Sequence, residues 1–214
     1  MRRETGLVLA LDETDGGRAL WVADQVRDLV DAIKVNWPLV LSTSPDIIGE
    51  LARRAEVICD FKVADIPNTT RLIVEGALER GASAVIVHGF PGADSLRAAV
   101  EAAGMMEIYV VVEMSHPGGE EFTHPVADRM ARMAVREGAA GVIAPATRPL
   151  RIAEIRRIVG SLRILSPGVG AQGGRAREAI RMGADHVIVG RSIYGAEDPR
   201  GAAEAICDEI KAVL

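Results

Sequence analysis

Lys34 and Lys62 are two of only three lysines in a chain with 25 basic residues, and both sit at the ends of expected buried strands. The second lies inside Asp60-Phe61-Lys62-Val63-Ala64-Asp65-Ile66. A chain that otherwise uses arginine keeps a primary amine at these two places. Guanidinium stays protonated, whereas an amine can shift its pKa and release a proton. An Asp-x-Lys-x-x-Asp array leaving an apolar run is therefore a candidate acid/base centre, with a structural ion pair as the plainer alternative. A second constellation can hold an anion. Ser166-Pro167-Gly168-Val169-Gly170-Ala171-Gln172-Gly173-Gly174 and Val189-Gly190-Arg191-Ser192 are glycine-rich turns. Their backbone N–H groups can approach phosphate oxygens closely, with Gln172 as an amide donor and Arg191 as a charged fork.

These residues need elements to position them. Apolar, β-branched runs recur at 7–12, 32–36, 57–62, 84–89, 108–114, 141–146, 163–168 and 186–191. Between them lie stretches with helical spacing of apolar residues, such as 68–80, 95–103, 125–137 and 152–159, several of which stop at glycine. Eight β-α units in 214 residues predict a single domain over 1–214, an α/β (β/α)8 TIM barrel. A doubly wound open sheet is the competing architecture. In a barrel the chemistry sits at the C-terminal strand ends, which here carry Asp12, Lys34, Asp60, Lys62, His88, Glu113, Ser115 and Gly190-Arg191. Strand alternation puts Ile58, Asp60 and Lys62 on one face. The same parity turns Ile58, Ile86, Val111 and Ile143 inward, as a dry recess or as ordinary core.

Composition narrows the function classes. A net charge of -5 argues against nucleic acid as the main partner. The early apolar run from Leu7 to Leu11 is far too short to span a membrane, and no secretory cleavage pattern follows Met1-Arg2-Arg3, so a cytoplasmic protein is expected. Cys59 and Cys207 lack a Cys-x-x-Cys spacing and imply no disulfide framework. His88, His116, His124 and His186 are too scattered for a zinc set.

The ordered motifs resemble the orotidine 5'-monophosphate decarboxylase family in its short microbial form. They are Leu9-Ala10-Leu11-Asp12, Ile33-Lys34-Val35, the 60–67 segment ending in Ile66-Pro67, Val87-His88-Gly89-Phe90-Pro91-Gly92, Glu113-Met114-Ser115-His116-Pro117-Gly118 and both glycine-rich turns. The resemblance covers nearly the whole chain. It implies conversion of orotidine 5'-monophosphate to UMP and CO2, with no cofactor and no metal. It further implies that Lys34, Asp60, Lys62 and Asp65 form an alternating charge network, with Lys62 as proton donor. Asp12 and Lys34 would contact the ribose hydroxyls and Ser115 the pyrimidine. Pro167, Gln172, Gly190 and Arg191 would hold the phosphate side of the substrate. Asp65, Ile66 and Thr69 would reach a neighbouring subunit's site, which implies a homodimer with shared sites. Two rivals remain from the residues alone. One is a metal-dependent sugar-phosphate lyase using Asp12, Asp60 and Glu113 as hard-cation ligands. The other is a non-enzymatic nucleotide-phosphate sensor, which would need the phosphate turns but neither Asp60 nor Lys62.

Overall fold

Eight parallel strands close on themselves in chain order, β1 pairing with both β2 and β8, so the (β/α)8 barrel replaces the open-sheet alternative. The computed structural model describes residue 1 and residues 3–214. The strands are β1 (Leu7–Leu11), β2 (Ala32–Val35), β3 (Val57–Val63), β4 (Ala84–His88), β5 (Glu107–Val111), β6 (Gly141–Ile143), β7 (Arg163–Pro167) and β8 (His186–Val189). Strands in such a barrel are covered on both faces, which is why each reads as a nearly continuous apolar run. Alternation then divides every run. Val8, Ile58, Ile86, Val111, Ile143, Leu165 and Ile188 fill the barrel, while Leu7, Leu9, Ile33, Val57, Val85, Val110 and Val187 face the helical layer.

Size matching sets the interior layers. Tyr109 is fully buried inside the barrel and stands opposite Gly141. A Cβ at Gly141 would lie 2.7 Å from the Tyr109 ring and 2.4 Å from the Arg163 carbonyl oxygen, so only glycine fits there. The Tyr109 hydroxyl donates to Glu107 Oε2 at 2.6 Å, and Arg163 donates to Glu107 Oε1 at 2.7 Å, closing the N-terminal end with satisfied polar groups.

The outer layer comprises α1 (Gly16–Val26), α2 (Trp37–Ser42), α3 (Ile47–Ala52), α4 (Pro67–Glu79), α5 (Ala93–Ala103), α6 (Gly119–Phe122), α7 (Ala127–Arg136), α8 (Pro149–Val159), α9 (Ala176–Arg181), α10 (Arg191–Tyr194) and α11 (Pro199–Lys211). The expected helices at 68–80, 95–103, 125–137 and 152–159 correspond to α4, α5, α7 and α8. The first residues of the 125–137 stretch form a 3-10 turn, His124–Val126, ahead of α7. Gly104 and Gly160 end α5 and α8 with φ of 58° and 60°.

All eight strands lie where the apolar runs place them, but most end early. The largest differences are at β5 and β6, expected to run to 114 and 146. Past Val111 the ladder loses its regular register, because the N–H groups of Val112 and Glu113 both turn to the Ile143 carbonyl. Pro145 has no N–H with which to extend β6. These early ends free residues 113–116 to line the site and residues 144–148 to brace them from behind.

Candidate active site

At the C-terminal mouth of the barrel lies a cavity of about 360 Å³. Its floor and one wall carry Asp12, just beyond β1, Lys34 of β2, and Asp60 and Lys62 of β3. Lys34 Nζ lies 2.9 Å from Asp60 and 3.6 Å from Asp12, and Lys62 Nζ lies 2.8 Å from both oxygens of Asp60. One buried carboxylate thus bridges two ammonium groups, and the charges alternate along Asp12, Lys34, Asp60 and Lys62. Burial opposes the charge on both Lys34 and Asp60, but their mutual attraction prevails. Lys34 is held above the usual lysine range by Asp60 and Asp12, and Asp60 below the usual carboxylate range by Lys34 and Lys62. Removing either partner would strand a buried charge. Asp12 Oδ1 is buried and faces Lys34 Nζ at 3.6 Å, just beyond hydrogen-bond reach.

Lys62 reaches this cluster by a different route from strict strand alternation. It is the only non-glycine residue with positive φ among the described residues, at 45°. The β3–β4 register slips between Cys59 and Val63, which pair with Val85 and Val87. Two extra residues of β3 are therefore accommodated in a bulge that redirects the Lys62 side chain onto Asp60. A lysine in the left-handed region is sterically strained and is held there only by its surroundings.

The opposite wall is apolar. Ile86, Val111 and Ile143 line the cavity, as parity predicts, together with Ala10 and Ile188. Ile58 does not: it lies in the inner cluster but outside the cavity lining, because Asp60 occupies the next inward position toward the mouth. His88 ends β4 with Nδ1 buried and unpartnered. Burial and the nearby Lys62 cation lower its pKa and favour the neutral imidazole.

The phosphate side is assembled from the two glycine-rich turns. Pro167, Gln172, Gly190 and Arg191 all border the cavity, and Ser115 faces it from the loop after β5. Gly168, Gly170 and Gly173 have φ of 103°, 75° and 92°, giving the 168–174 turn its tight shape, and Gly170 and Gly174 N–H donate to Gly174 and Gly168 carbonyls within it. Tyr194 and Asn36 also line the cavity and were not singled out in the sequence, and His116 of the Glu113–Gly118 motif lines it as well. Tyr194 carried a usable signal, since it lies one helical turn after Gly190-Arg191. Asn36 follows Lys34 by two residues.

Asp65, Ile66 and Thr69 do not line the cavity of their own chain. Asp65 and Ile66 are exposed at the start of α4, and the Asp65 carboxylate accepts the Ile66 N–H at 2.7 Å. Glu113 departs most from expectation. Its carboxylate is fully buried and accepts hydrogen bonds from Arg148 Nε at 2.8 Å and Arg151 Nε at 2.9 Å, with His124 Nδ1 at 3.2 Å. Those three groups hold its pKa down against burial. Glu113 is thus committed to anchoring the rim and is not an open cation ligand beside Asp12 and Asp60. Arg148 also donates to the Met114 carbonyl, and Thr147 Oγ1 donates to the Ser115 carbonyl at 2.9 Å, which fixes the loop that presents Ser115.

Comparisons with known proteins agree with this architecture. Residues 5–206 match the sequence profile of the orotidine 5'-phosphate decarboxylase / HUMPS family. The chain is 58% identical over 217 residues to orotidine 5'-phosphate decarboxylase of Methanosarcina mazei, covering 100% of this chain and 99% of that protein. It is 51% identical over 210 residues to the enzyme of the same name from Pyrococcus horikoshii, covering 97% and 100%. The crystal structure of orotidine 5'-monophosphate decarboxylase from Methanocaldococcus jannaschii, complexed with the inhibitor BMP, superposes with a TM-score of 0.91 at 43% identity, covering 95% of this chain and 97% of that one. The chain belongs to the orotidine 5'-phosphate decarboxylase / HUMPS family.

Proposed function

We propose that the chain converts orotidine 5'-monophosphate to uridine 5'-monophosphate and CO2, a carboxy-lyase step of de novo pyrimidine biosynthesis. The observation that carries this reading is the alternating Asp12–Lys34–Asp60–Lys62 chain facing an apolar wall, with an anion-binding rim across the same cavity. In this reading the phosphate is held by Gln172, Arg191 and the Gly190–Arg191 backbone, beside Pro167. The ribose hydroxyls meet Asp12 and Lys34, and the pyrimidine meets Ser115. The C6 carboxylate then lies toward Asp60 and the apolar side chains of Ile86, Val111 and Ile143, where departing CO2 needs no hydrogen bonds.

When the C6–carboxylate bond breaks, its electron pair remains on C6. The Lys62 ammonium stabilises that charge and then donates its proton to C6. Asp60 is relieved of repulsion as CO2 leaves. Two like charges about 4 Å apart at an effective dielectric near 20 repel by only ~4 kcal/mol. Enzymes lower barriers by roughly 8–23 kcal/mol, so the preorganised cation is the larger contribution. Lys34 keeps Asp60 charged, and Asp60 keeps Lys62 aimed. Phosphate binding adds to catalysis by drawing the 168–174 turn over the substrate, binding energy expressed in the transition state.

Residues 1–214 are taken as one decarboxylase domain. Two copies form a homodimer in which Asp65, Ile66 and Thr69 enter the partner's site; the exposure of Asp65 and Ile66, and the position of all three outside their own cavity, support this. A cytoplasmic setting fits two observations among the described residues: no helix is long and apolar enough to cross a membrane, and both cysteines are free and buried.

The test is loss of orotidine 5'-monophosphate absorbance with matching CO2 release, run with a divalent-metal chelator present. Undiminished turnover is expected. Loss of turnover that returns with added metal would favour the lyase chemistry of the wider fold family, and binding without turnover would favour a sensor.

A further inference from the structure

We propose that Trp37 is a positioning residue for Lys62, acting as a strut that holds the Phe61–Lys62 peptide in its strained conformation. The inference rests on the role given to Lys62 above. Lys62 occupies a backbone region that lysine rarely adopts, with φ of 45°, inside the stretch where β3 slips against β4. Strain of this kind persists only where neighbouring groups fix the peptide planes on either side. The carbonyl that precedes Lys62 belongs to Phe61, and it accepts a hydrogen bond from the indole Nε1–H of Trp37 at 3.2 Å. The two rings also stack, with centroids 4.5 Å apart and planes 23° from parallel. Trp37 therefore grips Phe61 at both its carbonyl and its ring, one residue ahead of the strained amine carrier.

The strut has a firm base. Trp37 opens α2, and its own N–H donates to Asn36 Oδ1 at 2.7 Å. Asn36 lies two residues after Lys34, so the segment that bears one lysine also braces the peptide that bears the other. The Lys34–Asp60–Lys62 chain is thus closed from behind by backbone as well as through its side chains. Trp37 is 42% exposed at the edge of an apolar groove with Val40, Ile48 and Phe61, so packing accounts for an apolar ring there but not for the Nε1–H donor on the Phe61 carbonyl. What the position requires is a donor and a flat ring together, and tryptophan supplies both.

The strut acts only on where the ammonium sits, so its loss is read in kcat and leaves the phosphate, ribose and base contacts in place. Trp37→Phe keeps the stacking ring and removes the donor; Trp37→Ala removes both. Displacement of a reacting group by about 1 Å can cost about a hundredfold in rate, so kcat at saturating orotidine 5'-monophosphate is expected to fall about tenfold in Trp37→Phe and up to about a hundredfold in Trp37→Ala. The Kd for uridine 5'-monophosphate, measured by calorimetry, should change less than about twofold, and sedimentation should give the wild-type assembly. Unchanged kcat in Trp37→Phe, or a loss of binding as large as the loss of kcat, overturns the strut. If Trp37→Ala does not fold, Trp37→Phe alone decides. Either failure would leave the decarboxylase reading intact, because that reading falls only if the wild-type protein does not turn over orotidine 5'-monophosphate.

Discussion

Two ammonium groups share the Asp60 carboxylate, while the fully buried Glu113 shares two guanidinium groups and an imidazole. The contrast separates chemistry from scaffolding. Amines can be poised to give up a proton, whereas arginines lock a carboxylate in place. Lysine rarity made Lys34 and Lys62 legible in the sequence. Glu113 was legible only as a strand-end acid, because Arg148 and Arg151 lie 35 and 38 residues further along, with no spacing rule to join them. Tyr194 was legible only through its place one helical turn after Gly190-Arg191, at the end of α10. Replacing Glu113 with Gln removes the one fully buried counter-charge that both guanidinium groups share, leaving only the more exposed Glu120 to Arg148 and Asp128 and Glu154 to Arg151. Glu113→Gln should lower the unfolding free energy by roughly 3 kcal/mol in denaturant titration. A change below about 0.5 kcal/mol, the range of an ordinary surface substitution, would mean that water already satisfies both arginines.

At the scale of elements, the positions of all eight strands were readable from β-branched runs, because parallel strands buried on both faces need them. Their ends were less readable, since the rim is set by hydrogen bonds between distant loops. The bulge in β3 left no composition signal either, as neither glycine nor proline marks it. The opposite end of the barrel makes its own prediction. Asp31, just before β2, accepts the backbone N–H groups of Glu4, Thr5 and Gly6, and His186 of β8 lies 3.2 Å away. Burial works against the Asp31 charge, but His186 and those N–H groups overcome it and hold its pKa at about 2, down from 3.8. A carboxylate depressed in the folded state stabilises above its unfolded pKa, and that stability is lost as pH falls toward the folded value. Wild type should therefore exceed Asp31→Asn in stability by roughly 2 kcal/mol near neutral pH, with the gap closing between pH 3.8 and about 2. A gap that stays constant across that window would show that the Asp31 contribution is not its charge.

For the whole molecule, closure of the barrel turns residues scattered from Asp12 to Arg191 into one cavity, and ordered motifs along the chain made that gathering legible. Asp65 does not line the cavity of its own chain, and in the proposed homodimer it completes the partner's charge network. Each site of that proposed two-fold dimer would take Lys62 from one chain and Asp65 from the other. Lys62→Ala and Asp65→Asn homodimers should each be nearly inactive. Refolding them together in equal amounts should restore about a quarter of wild-type activity, since half the dimers are mixed and each carries one intact site. No recovery, with mixed dimers present in the sample, would place Asp65 in its own subunit's site. The proposed decarboxylation of orotidine 5'-monophosphate runs through the Lys62 amine. Its most direct test is turnover of that substrate by wild type and by Lys62→Arg, with product-nucleotide affinity measured for both. Rapid turnover is expected in wild type and none in Lys62→Arg, with affinity reduced far less, because arginine keeps the charge but is a poor proton donor. Near-normal turnover in Lys62→Arg would contradict it.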